Sequence, residues 1–173
     1  MRSGDNTAMR MKLILLGVLA AAMPALAETL PPVEVFVPRP CLSCIEWAEH
    51  LRQNGFKVTL KEADDMAAVK RRFKVPADVA SRMTARVAGY FIEGHVPAED
   101  IKQLLKEKPK ARGLAVPGLP MGAPGYEATG ADGSCESGCT IFDPNSGERI
   151  PRREFFNTLL VGPKGDTSIW ARH

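Results

Sequence analysis

The 173-residue sequence predicts one α/β sandwich. Two-residue alternations and helical periodicities succeed each other along its first half, in the order β-α-β-α followed by two strands and a helix. The chain is also about one domain long, and a Cys-x-x-Cys pair stands where the first strand gives way to the first helix.

Each element has its own signature. Val33-Glu34-Val35-Phe36-Val37 alternates as a strand should, and Pro38 and Pro40 end it. Beyond Cys41, Ile45, Trp47, Ala48 and Leu51 fall at helical spacing, with Ser43 as a cap and Gly55 as a stop. Phe56 to Leu60 is the second strand. Asp64 to Phe73 is a short helix, acidic at its start and basic in its last turn, and Pro76 to Ser81 adds a helical turn. Thr84–Val87 and Tyr90–Ile92 form a hairpin about Ala88-Gly89, and a helix with Pro97 in its first turn runs through Leu105. From Ala111 to Gly130 the chain is rich in Gly and Pro, which predicts a loop without regular elements. A turn is expected at Asp143–Gly147, and two strands, Thr158–Val161 and Ser168–Arg172, should close the chain as a hairpin. Trp47 reads as a core residue.

The opening residues read as an export signal. Arg10 and Lys12 precede the apolar run Leu13–Ala22, and Ala25-Leu26-Ala27 supplies small residues for cleavage, so residues 1–27 are expected to be removed and 28–173 to fold. The run is shorter than the roughly 20 residues a membrane span needs. Cleavage would take away Arg2, Arg10 and Lys12 against Asp5, lowering the formal charge from +3 to +1. A nearly neutral domain does not call for nucleic acid or, once the signal is gone, a membrane as partner. Lys70-Arg71-Arg72 is a solvated helix end.

All four cysteines, Cys41, Cys44, Cys135 and Cys139, fall in the exported part, where disulfides persist. A thiol at a helix N-terminus meets unpaired backbone N–H groups and the positive end of the dipole. Both favour thiolate, which is the nucleophile of disulfide exchange and the ligand of soft metals. Cys135 and Cys139, in GSCESGC, sit between glycines on a loop, where the bland account is a loop-closing disulfide. Together the four sulfurs suffice for a tetrathiolate zinc site or for bridging several Cu(I) ions. Met121 in the Gly/Pro loop and His95 before the third helix are secondary candidate ligands, against ordinary uses in gap-filling and turn stabilisation. Met83 shares the ambiguity of Met121, and His50 reads as a surface histidine on the first helix. No Ser-His-Asp arrangement, phosphate-cradling loop or carboxylate pair is evident.

The run ARVAGYFIEGHVPAEDIKQLLKEKPKARGLAVPGLPMGAPGYE, residues 85–127, closely resembles the CopG-like copper-resistance family of exported metal-binding proteins, through its EGHVP and GLAVPG signatures. VEVFVPRPCLSCIEWAEHLRQNGFKVTL and LLVGPKGDTSIWARH are similar to the same family's beginning and end. The resemblance implies a thioredoxin-like sandwich with a Gly/Pro-rich loop and, here, a Cys-bearing insertion at about 128–156 before the C-terminal β-hairpin. It also implies a periplasmic location, copper as the metal with zinc as second choice, and periplasmic copper-handling proteins as partners.

Two departures qualify it. Many members carry adjacent cysteines after the first strand and a Cys-His pair before the third; here Cys41-Leu42-Ser43-Cys44 and Arg82-Met83 stand in those places. The expectation is that Cys135 and Cys139 make good the missing ligands by closing over Cys41 and Cys44. A second reading stays open, a thiol-disulfide oxidoreductase in which Cys41 attacks and Cys44 resolves. Against it, Met83-Thr84 stands where such enzymes present a proline. A zinc-stabilised interaction module is a third.

Overall fold

The computed structural model describes residues 29–127 and 140–173. The expected signal-peptide segment, together with Cys135 and Cys139, therefore lies outside the described residues.

Strand β1 (Val33–Val37) leads into helix α1 (Leu42–Gln53), β2 (Val58–Glu62), α2 (Met66–Phe73), a 3-10 turn at Ala77–Val79, β3 (Thr84–Val87), β4 (Tyr90–Glu93) and α3 (Ala98–Glu107). Then follow β5 (Gly113–Ala115), β6 (Thr140–Phe142), β7 (Arg149–Pro151), β8 (Asn157–Val161) and β9 (Thr167–Arg172). One mixed sheet runs β2-β1-β3-β4-β5-β8-β9, and β6 with β7 forms a separate two-stranded sheet. β1 is parallel to β2 and β4 to β5, while the pairs β1/β3, β3/β4, β5/β8 and β8/β9 are antiparallel.

The alternation in β1 decides which helix covers which face. Val33, Val35 and Val37 enter the main core with Trp47 and Leu51 of α1 and Ile101 and Leu104 of α3. Phe36 points the other way, its ring 5.4 Å from that of Phe73 on α2. A smaller cluster on that second side joins Val79, Phe91, Ala115 and Val161. The sheet is thus covered on both faces, which is why apolar side chains of β1 and β4 are buried on either side of it.

A buried carboxylate clamps the sheet to α2. Glu93, fully buried, pairs with Lys70 and accepts 2.6 Å bonds from the Thr84 hydroxyl and the Ser81 backbone N–H. Burial pushes its carboxyl above the usual range, against the pull of these three donors.

Several sequence expectations need correction. The Gly/Pro stretch contains β5, a full member of the sheet between β4 and β8. Three residues paired on both sides need no visible periodicity, because their hydrogen bonds come from neighbours distant in sequence. The Asp143–Gly147 turn is flanked by the short strands β6 and β7, which the sequence reading did not assign. The helix expected from Asp64 begins at Met66, because the Asp65 side chain accepts the Ala68 N–H at 2.8 Å and acts as the cap. Ser43 lies inside α1, whose N-cap is Cys41.

Candidate metal centre

The Cys-x-x-Cys pair lies where the sequence places it, at the sheet end of α1. Cys41 is the N-cap and Cys44 lies in the first turn; they are 6% and 0% exposed, their Cα atoms are 5.3 Å apart, and the two sulfurs form a disulfide. In reduced form both thiols would face the unpaired amides that begin a helix, and no acidic side chain occupies the first turn to oppose a thiolate. Both cysteines belong to the main core cluster, together with Met83. Met83, fully buried immediately before β3, is therefore core packing.

The EGHVP segment is stitched to this helix. The Trp47 indole N–H donates to the Val96 carbonyl at 2.8 Å, and the Ala98 backbone N–H donates to His50 Nε2 at 3.1 Å. His50 is thus a half-buried cap that α1 supplies to α3, which has no side-chain cap of its own. Its reading as a partly exposed surface histidine missed this cap, whose signal was invisible locally because donor and acceptor lie 48 residues apart.

His95 is fully buried. Its Nδ1 lies 2.8 Å from the Pro124 carbonyl, which can only accept, so Nδ1 carries the proton and Nε2 presents its lone pair. Nε2 is buried and has no hydrogen-bond partner among the described residues. An imidazole held through one nitrogen by a backbone carbonyl, with the other left bare, is the arrangement that metal-ligating histidines adopt. Burial lowers the pKa of His95 and of His50, keeping both rings neutral and hence able to ligate or accept. His95 does not act as a helix cap.

The Gly/Pro loop covers α1. Gly125, at φ +77°, lies so close that a Cβ there would overlap the Trp47 backbone nitrogen and come within 2.9 Å of the Ser43 carbonyl. Gly94, at φ +74°, likewise admits no side chain beneath Val116. These contacts bring Cys41, Cys44, Met83, His95 and the 118–127 loop to one end of the sheet. Met121 is in that loop but is tied elsewhere: its N–H donates to Glu154 Oε2 at 3.1 Å and its carbonyl accepts the Glu154 N–H at 2.8 Å. Among the described residues no three His, Cys, Asp or Glu side chains converge on a point that could hold a metal. The described residues thus offer one disulfide-bonded pair of sulfurs and one buried imidazole nitrogen without a partner.

A family model described as "Protein of unknown function, DUF411" matches residues 79–126, the stretch that holds β3, β4, α3, β5 and most of the covering loop. No curated protein matches the chain. Two solved structures, described as copper resistance protein CopG, Form 1 and Form 2, are each 34% identical to it and superpose with a TM-score of 0.67, covering 83% of this chain and 98% of the other. The chain belongs to the CopG family. Among the described residues no helix is long and apolar enough to cross a membrane.

Proposed function

We propose that this protein is an exported, periplasmic copper-resistance protein that binds Cu(I) through cysteine thiolates. The β2-β1-β3-β4 order, with α1 and α3 on one face and α2 on the other, supports a thioredoxin-like reading of the first half. Residues 1–27 would be its signal peptide. Cys41 and Cys44 bind after reduction, and soft sulfur selects Cu(I) ahead of Zn(II) when both thiols are deprotonated. His95 Nε2 supplies nitrogen, and Met121 becomes a thioether ligand only if its loop is released from Glu154.

The observation that carries the reading is the seat of Gly125 on Ser43 and Trp47, because it fixes the root of the segment bearing the other two cysteines beside the first pair. Cys135 lies eight Cα–Cα steps beyond Glu127, a reach of up to about 28 Å. Cys135 and Cys139 can therefore complete the site, and four sulfurs allow bridging of more than one copper ion. Oxidising two thiols to the disulfide releases two protons and two electrons, enough to reduce two Cu(II) ions to Cu(I), so copper redox chemistry is within the pair's stoichiometry.

The Cys41–Cys44 disulfide favours a second reading, thiol-disulfide exchange. One experiment separates the two. Anaerobically reduced protein is loaded with Cu(I) against a competing chelator, as wild type, as Cys41→Ser/Cys44→Ser and as Cys135→Ser/Cys139→Ser. Loss of most bound copper in both double variants supports one shared centre. Unchanged stoichiometry in the first variant overturns the copper reading, and rapid turnover of a protein disulfide without copper establishes the second.

A further inference from the structure

His173, an exposed residue whose side chain is 27% accessible, is the outer end of a hydrogen-bonded set that the thiol site does not use. Its Nε2 lies 2.9 Å from Asp100 Oδ2, and the Thr158 hydroxyl donates to the same oxygen at 2.5 Å. Asp100 is 5% exposed and Thr158 is fully buried. The backbone on either side is fixed, since Phe156 and His173 exchange N–H···O=C bonds of 3.2 and 2.9 Å and their rings stack at 4.8 Å. A carboxylate can only accept here, so Nε2 carries the hydrogen and donates it, and in the neutral ring the lone pair is on Nδ1. Nδ1 has no partner among the described residues.

His173 lines a cleft of about 310 Å³ together with Glu154, Arg153, Phe155, Phe156, Gly122 and Pro124. Glu154, an exposed residue, accepts the Met121 N–H at Oε2, and its second carboxylate oxygen has no partner among the described residues. The cleft thus contains one imidazole and one carboxylate, each oriented by a second hydrogen-bonding group. A carboxylate–histidine pair with its outer nitrogen bare is the outer-shell arrangement of metal-binding histidines. Nitrogen and carboxylate oxygen suit a borderline divalent ion, and among these Cu(II) binds N/O donors most strongly. Arg153 is the one cation lining the cleft among the described residues, and its stem lies against Gly122.

We propose that His173 and Glu154 form a second metal site that takes Cu(II), with water completing its coordination and with Asp100 as the positioning residue. The site uses no thiol, so it stands whether or not the cysteine centre binds Cu(I).

The test titrates Cu(II) into oxidised full-length protein, without an affinity tag, whose remaining thiols are alkylated. Binding is followed by electron paramagnetic resonance for nitrogen coupling and by calorimetry for affinity. His173→Gln should abolish one nitrogen-coupled signal, and Glu154→Gln should weaken it. Asp100→Asn should lower affinity about 10- to 100-fold, as loss of a ligand's outer-shell partner does. Unfolding curves check that each variant is folded, and Thr158→Val, which keeps the Asp100–His173 contact, should retain binding if Asp100→Asn unfolds. A wild-type signal unchanged in His173→Gln overturns the proposal. So does a cleft that binds phosphate or acetate through Arg153 and His173 while leaving Cu(II) unaffected by these substitutions.

Discussion

The indole nitrogen of Trp47 is 2.8 Å from the carbonyl oxygen of Val96, and this bond, beside that from the Ala98 N–H to His50, ties the helix that begins with the cysteine pair to the EGHVP segment. The indole and the Val96 carbonyl are both buried, so neither has water as an alternative partner. Trp47→Phe keeps most of the apolar bulk but strands the Val96 carbonyl, at a cost of about 1–3 kcal/mol. Chemical denaturation should show that loss as a lower midpoint with little change in slope, and an unchanged midpoint would remove Trp47 as a link.

Gly125 has a different role, closeness rather than bonding. Gly125→Ala puts a Cβ onto the Trp47 backbone and forces an L-residue to φ +77°, where the conformation alone costs about 1–2 kcal/mol. The covering loop should lift, exposing the Pro124 carbonyl and freeing His95. Amide hydrogen exchange should quicken across residues 118–127, while β1, β3 and β4 stay protected. Unchanged exchange would mean that the loop tolerates the methyl group.

Removing one partner of the Glu93–Lys70 pair should be expensive. Glu93→Ala leaves Lys70 and the Ser81 N–H without their acceptor, and breaking a buried pair costs about 3–5 kcal/mol. Lys70→Met should cost less, because Thr84 and Ser81 still donate to the carboxylate. The double variant should be more stable than the sum of the singles predicts; strict additivity would show that the two side chains are not coupled.

The contribution of His50 and His95 to stability should fall as pH drops below neutrality, whereas the raised Glu93 carboxyl acts in the opposite sense. Burial is the leading cause that lowers the folded-state pKa of both His50 and His95, while Glu127 pulls both upward, Glu99 also pulls His50 upward, and Lys102 and Arg82 oppose protonation of His50 and His95 in turn. The unfolded chain therefore takes up protons first. The stabilisation is complete above the unfolded value of about 6.5 and is lost as pH falls through the lower folded values, at no more than about 1.4 kcal/mol per pH unit for His95. His50→Gln should flatten the profile between pH 7 and 5 in urea titrations, whereas an identical slope would exonerate His50.

Elements that repeat a pattern over several residues were legible from the chain alone. β1 alternates valines, α1 and α3 keep helical spacing, and the hairpin about Ala88-Gly89 has its turn, because a side chain's local period fixes which face it can bury. The thiol pair at a strand-to-helix junction was equally plain. β5 was not, since Gly113–Ala115 is a strand only by virtue of β4 on one side and β8 on the other. Nor were the tasks of the three histidines. His50 meets Ala98 at a separation of 48 residues, His95 meets Pro124 at 29, and His173 meets Asp100 at 73.

The sequence by itself determined the order of the elements, the place of Cys41 and Cys44 at the head of a helix, and the likeness to CopG carried by EGHVP and GLAVPG. Only the tertiary structure decided that the Gly/Pro loop folds back onto that helix, that His95 is left with a bare buried nitrogen, and that Asp100 and His173 meet at the edge of a cleft. The physical reason is that periodicity and junction chemistry act within a few residues along the chain. The partner of a buried donor or acceptor is instead chosen by whichever distant backbone the packing of the core brings within about 3 Å.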